Sequence, residues 1–104
     1  MAIDRIASLR ALIARAPQDP FPRYGLAMEL RSRGELEAAA TAFADLIAAF
    51  PDYVPSYLMA GGVAAKLGRG DDARTLYQRG IDVATSRGDL HARGELQSAL
   101  AEVS

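Results

Sequence analysis

Moved against itself by 34 residues, the chain repeats. Pro17 falls on Pro51, Leu9 on Phe43 and then Tyr77, Ile13 on Ile47 and then Ile81, Gly34 on Gly68, and Ala39 on Ala73. The stretches GELEAAATAF (34–43) and GRGDDARTLY (68–77) carry the echo most plainly, with Gly first, Ala sixth, Thr eighth and an aromatic ring tenth. One offset serves all of these positions, so the period belongs to the architecture. A step of this length marks pairs of helices that cannot bury their apolar faces until neighbouring pairs stack on them.

Each shared residue has a physical reason for its place. Gly34 and Gly68 follow apolar-periodic segments where the chain must leave a helix and reverse, and glycine takes the left-handed conformation without steric cost. Ala39 and Ala73 sit on the second helix of each pair, where a small side chain lets two backbones approach. Phe43 and Tyr77 lie one turn further on the same face and fill the space beyond that contact. Pro51 cannot continue the helix before it and marks the passage between pairs. Asp71 and Asp72 read as helix-start chemistry, because carboxylates favour the free amides and the dipole there.

These signals predict an all-α chain of six helices near residues 2–16, 21–33, 36–50, 54–67, 71–85 and 89–103. The expected architecture is an α-solenoid of antiparallel pairs forming one domain. An N-terminal half-repeat covers 1–19, two full units cover 20–53 and 54–87, and a capping helix covers 88–104. The last helix breaks register, since continued repetition would put Glu95 at a tightly packed position. Its Ala92, Leu96, Ala99, Leu100 and Val103 still make one stripe at helical spacing, as a terminal cap requires.

The pattern resembles the tetratricopeptide repeat family over most of the chain. Leu26, Ala27, Leu30, Gly34, Ala39, Phe43 and Pro51 carry the resemblance in the first unit, and Tyr57, Ala60, Gly61, Ala64, Gly68, Ala73 and Tyr77 in the second. Arg23 departs from it where a bulky aromatic is usual, and Thr85 where a proline is expected. The resemblance implies a protein-binding scaffold, usually without enzymatic activity, whose concave surface is lined by the first helix of each unit. Chaperone-binding members hold a terminal carboxylate with Lys and Asn on those helices. The matching positions here are Tyr24, Met28 and Met59, which supply neither a cation nor an amide.

Composition narrows the classes of function. Twelve basic and thirteen acidic side chains give a net charge of −1, so nothing in the balance calls for nucleic acid or an anionic membrane. The chain has no cysteine, which removes disulfides, thiol catalysis and thiolate metal sites. No apolar run approaches membrane-spanning length, and the charged start lacks a secretory signal's apolar core. The expectation is a cytoplasmic protein. The lone His91 has no second His or Cys to complete a metal set or assist a nucleophile. Gly61 with Gly62 and Gly68 with Gly70 lack the spacing and preceding strand of phosphate loops. No enzyme, cofactor, metal or small-molecule substrate is expected, and the tripeptide Arg69-Gly70-Asp71 is read as chance.

Two apolar surfaces remain as candidates. At about 100° per residue, Leu26, Ala27, Leu30 and the stem of Arg23 face into the unit, while Phe21, Tyr24, Met28 and Arg31 fall nearly opposite. Pro55, Leu58, Met59, Gly62, Ala65 and Lys66 repeat that stripe on the next first helix. Side by side, the two would form an apolar, Met-containing groove with Arg31 and Lys66 toward one end. Such a groove is suited to a protein or peptide partner, unless the capping helix folds over it. The alternative is a homodimer, or an accessory subunit that self-associates, because Ile3, Ile6, Leu9, Leu12 and Ile13 cover a wide arc of the first helix.

Overall fold

A computed structural model describes residues 4–103. It contains six helices among them: α1 (Arg5–Arg15), α2 (Pro20–Ser32), α3 (Leu36–Ala49), α4 (Pro55–Lys66), α5 (Gly70–Arg87) and α6 (Leu90–Val103). Asp4 and Asp19 start the first two, each accepting an amide hydrogen bond 3.0 Å long, from Ile6 and Phe21 respectively. Pro20 and Pro55 stand in the first turns of α2 and α4, where the missing N–H has no intrahelical partner to lose.

Three helices end in the same way. Gly34, Gly68 and Gly88 have φ of 76°, 77° and 70°. After α2, the Gly34 amide donates to the Arg31 carbonyl and the Glu35 amide to the Leu30 carbonyl, both at 3.0 Å. Gly68 with Arg69 and Gly88 with Asp89 repeat these bonds after α4 and α5. This is the Schellman closure, and the left-handed residue makes it possible. The other two turns depend on proline. Ala16 (φ −134°, ψ 65°) and Phe50 (φ −136°, ψ 72°) precede Pro17 and Pro51 in almost the same conformation, one that a following proline pushes out of the helical region. Thr85 leaves α5 unbroken where a proline would have stopped it, so that helix runs to Arg87 and stops at Gly88 instead.

Packing follows chain order. Helix α2 pairs with α3 and α4 with α5, α1 touches α2 alone, and α4 touches both α2 and α6, which do not touch each other. A row of stacked pairs results, 44 × 29 × 19 Å in extent. Its core holds Leu26, Ala27, Leu30, Ala39, Phe43, Leu46, Tyr57, Val63, Ala73, Tyr77 and Leu96, all buried. The stripe of α6 packs as expected, with Leu96 buried and Ala92, Ala99, Leu100 and Val103 against the core.

The α4–α5 contact is tight because each helix offers a glycine to the other's tyrosine. A methyl group on Gly61 would lie 2.2 Å from Tyr77 Cε1, and one on Gly80 would lie 2.6 Å from Tyr57 Cβ and 3.0 Å from Leu96 Cδ2. Tyr57 also donates from its hydroxyl to the Pro51 carbonyl at 2.5 Å, fastening the passage between units. Gly62, one residue on, faces open space. Two neighbouring substitutions should therefore act in opposite directions. Gly61→Ala should destabilise by about 1–3 kcal/mol through overpacking, and Gly62→Ala should stabilise by about 0.5–1 kcal/mol through helix propensity. Chemical denaturation midpoints of the two variants check this.

Candidate functional site

Helices α2 and α6 stand on either side of α4, and a cavity of about 310 Å³ opens between them. Tyr24 of α2 and Leu58 and Met59 of α4 line it, together with Val54 and Pro55 where α4 begins. Ala92 and Leu96 of α6 complete the apolar surface, and Asp89, His91 and Glu95 form the charged part of the α6 wall. The capping helix therefore supplies one wall of this cavity.

The sequence-predicted groove residues separate into two sets. Tyr24, Leu58 and Met59 come together in the lining of one cavity, and all three are half-buried. Phe21, Met28, Arg31, Gly62 and Lys66 lie outside the cavity lining. Phe21 is 68% exposed at the start of α2. Its ring meets Tyr53 edge-on at 6.1 Å, Tyr53 meets Tyr24 at 5.6 Å, and Tyr24 meets Phe43 at 6.3 Å. Helical angle alone places Tyr24 opposite the packed face, but its long ring reaches back to Phe43 and joins the core as well as the groove. The charge of the wall also differs from expectation, since acidic Asp89 and Glu95 line the cavity and the basic Arg31 and Lys66 do not.

Sequence reasoning missed the α6 contribution. The signal was available: the 34-residue step carries Pro55 onto Asp89 and Leu58 onto Ala92, which puts the start of α6 where a third unit's first helix would stand. Asp89 caps that helix by accepting the Ala92 amide at 3.0 Å. His91 projects into solvent and approaches Glu95 to 3.4 Å, a contact that is ionic only when the imidazole is protonated. Among the described residues no three His, Cys, Asp or Glu side chains gather as metal ligands. No helix among them is long and apolar enough to cross a membrane.

The arc of α1 is narrower than its sequence suggests. Ile6, Leu9 and Ile13 turn toward the core and are half-buried, with Leu9 against Gly25 of α2. Leu12 remains 45% exposed, and Ile3 lies outside the described residues. Ile13 also faces a second cavity of about 260 Å³, shared with Arg10, Arg23, Leu26, Leu30 and Asp45. Arg23, which replaces a bulky aromatic, extends into this looser space, and its Nε is buried without a hydrogen-bond partner. The side chains of Arg69 and Asp71 are engaged locally, with Glu37 and Arg74 respectively.

No protein-family model and no curated protein matches the chain. Solved structures do. The chain is similar to the solution structure of a tetratricopeptide repeat domain protein from Salinibacter ruber, at 38% identity and a TM-score of 0.80, over 85% of this chain and 89% of that one. It is also similar to a crystal structure of a tetratricopeptide repeat domain protein from that organism, at 38% identity and a TM-score of 0.77, over 82% of this chain and 96% of that one. A protein from Bordetella parapertussis shares the fold at 24% identity and a TM-score of 0.80, over 99% of this chain and 88% of that one.

Burial raises the hydroxyl pKa of all four tyrosines above the usual value of 10.0. Arg31 offsets part of the effect at Tyr24 and Arg79 part of it at Tyr57, where the guanidinium stands 5.6 Å from the ring centroid. Raised folded-state values mean that the unfolded chain loses these protons first. Their contribution to stability is complete below the unfolded value near 10 and is lost as pH rises through the folded values. Denaturation midpoints measured from neutral to strongly alkaline pH should fall in that window, together with the appearance of tyrosinate absorbance.

Proposed function

We propose, for a chain that belongs to the tetratricopeptide repeat family, that it is a non-enzymatic interaction module holding a partner's peptide or helix in the groove between α2, α4 and α6. The observation that carries this reading is the groove itself. Leu58 and Met59 are half-buried beside a cavity of about 310 Å³ that their own fold leaves unfilled. Apolar side chains arranged so lose more water when a partner arrives, and interface energy concentrates in a few such anchors. Methionine can also adjust its shape to the arriving side chain.

Tyr24 contributes differently from Leu58. Its ring is braced by Tyr53 and Phe43, so truncation removes structure as well as contact area. Tyr24→Ala should therefore cost about 2–4 kcal/mol of stability, in the range of large-to-small core changes. Leu58→Ser should weaken partner binding by about tenfold or more while shifting the melting temperature little. A peptide-display selection on the native chain, followed by titration and melting of both variants, tests the reading. Peptides that bind the Leu58→Ser variant as tightly as the native chain would remove the groove as their site.

A second reading, self-association through α1, is supported by the exposure of Leu12 and by α1 having a single neighbour, α2. In that case Leu12→Arg should leave a mass that no longer rises with concentration in light scattering, where the native chain's mass does.

A further inference from the structure

We infer that the groove selects a segment in which a lysine or arginine stands beside an apolar anchor, with the cation lying against the Asp89 and Glu95 wall of α6. This rests on the groove being a binding site, and adds to it the charge of the partner. The groove has an apolar floor in Leu58 and Met59 and a charged wall on one side only. On that wall stand two carboxylates and an imidazole, and neither lysine nor arginine lines the cavity.

Two features near the groove favour an anion, and both fall short. The first is the start of α6, where free amides carry a partial positive charge equivalent to roughly half a unit. The Asp89 carboxylate already accepts the Ala92 amide there at 3.0 Å, so a full negative charge stands over that half charge. The second is Arg31. It is near enough to Tyr24 to stabilise the tyrosinate form, but it belongs to α2, across α4 from the acidic wall. His91 partners Glu95 ionically only when protonated, and a cation from the partner would take that place. An acidic segment laid over Leu58 and Met59 would set its charges against Asp89 and Glu95, whereas a basic one would pair with them.

Glu95 is half-exposed, so its attraction is moderate and sensitive to salt. The test uses two synthetic helical peptides with the same leucine and methionine face, one flanked by lysines and one by glutamates. Each is titrated by fluorescence anisotropy against the full chain and its Glu95→Lys and Leu58→Ser variants, with melting curves to confirm folding. The lysine-flanked peptide should bind about tenfold more tightly than the other at low salt. That preference should shrink in high salt, vanish or reverse with Glu95→Lys, and both peptides should weaken with Leu58→Ser. Equal or tighter binding of the glutamate-flanked peptide, still dependent on Leu58, would overturn the inference and leave the groove reading standing. Binding indifferent to Leu58→Ser would overturn both. Failure of either peptide to bind, while display-selected ligands without a basic residue bind in a Leu58-dependent way, would overturn the charge assignment alone. A concentration-dependent dimer that Glu95→Lys dissociates would make a second copy the occupant and overturn it too.

Discussion

The structure depends on a reciprocal contact: Tyr57 of α4 lies against Gly80 of α5, and Tyr77 of α5 lies against Gly61 of α4. The Tyr77 ring fills the space over Gly61, and Tyr57 Cβ with the Leu96 methyls fills that over Gly80, so two backbones approach closely and still bury two large aromatic residues in the core. Because Leu96 of α6 rests on the same Gly80, the contact also sets the distance of the last helix. The groove wall is therefore positioned in part from beneath, through Leu96 against α5, as well as by its contact with α4.

The first unit lacks this fit. At the positions corresponding to Tyr57 and Gly80 it has Arg23 and Leu46, and its looser packing appears as the cavity where Arg23 buries an unpartnered Nε. Polar nitrogen in such a place costs stability relative to an aromatic ring that would fill it. The repeat is thus uneven, with a well-interlocked C-terminal half that carries the groove's floor and acidic wall, and a less well packed N-terminal half.

Most of the fold was legible in the sequence because repetition turns local signals into global ones. Gly34 and Gly68 mark turns, Ala39 and Ala73 close contacts, and Phe43 and Tyr77 core aromatics, and the shared offset removes chance from each. The groove was only partly legible. Tyr24, Leu58 and Met59 could be placed from helical angle, but the second role of Tyr24 could not, because its ring is long enough to reach Phe43 from the side of α2 that angle alone assigns to the groove. The α6 wall was legible only through the 34-residue step that carries Pro55 onto Asp89 and Leu58 onto Ala92. The apolar stripe of α6 says what the helix packs against and nothing of Asp89 and Glu95. Gly88 escaped notice because it falls outside the 34-residue phase, the cue that made the other two turn glycines visible.

Helix α1 has no fully buried residue and a single neighbour, so little surface is lost when it detaches. Opening free energy should accordingly be graded along the chain, lowest at this end and rising to the global value around α4 and α5. In amide hydrogen exchange, α1 would behave as a unit separate from the rest. Ligand in the groove, held by α2, α4 and α6, would slow exchange in those helices and leave α1 as fast as before. Helix α1 is thus a region that can come and go without disturbing occupancy at the other end.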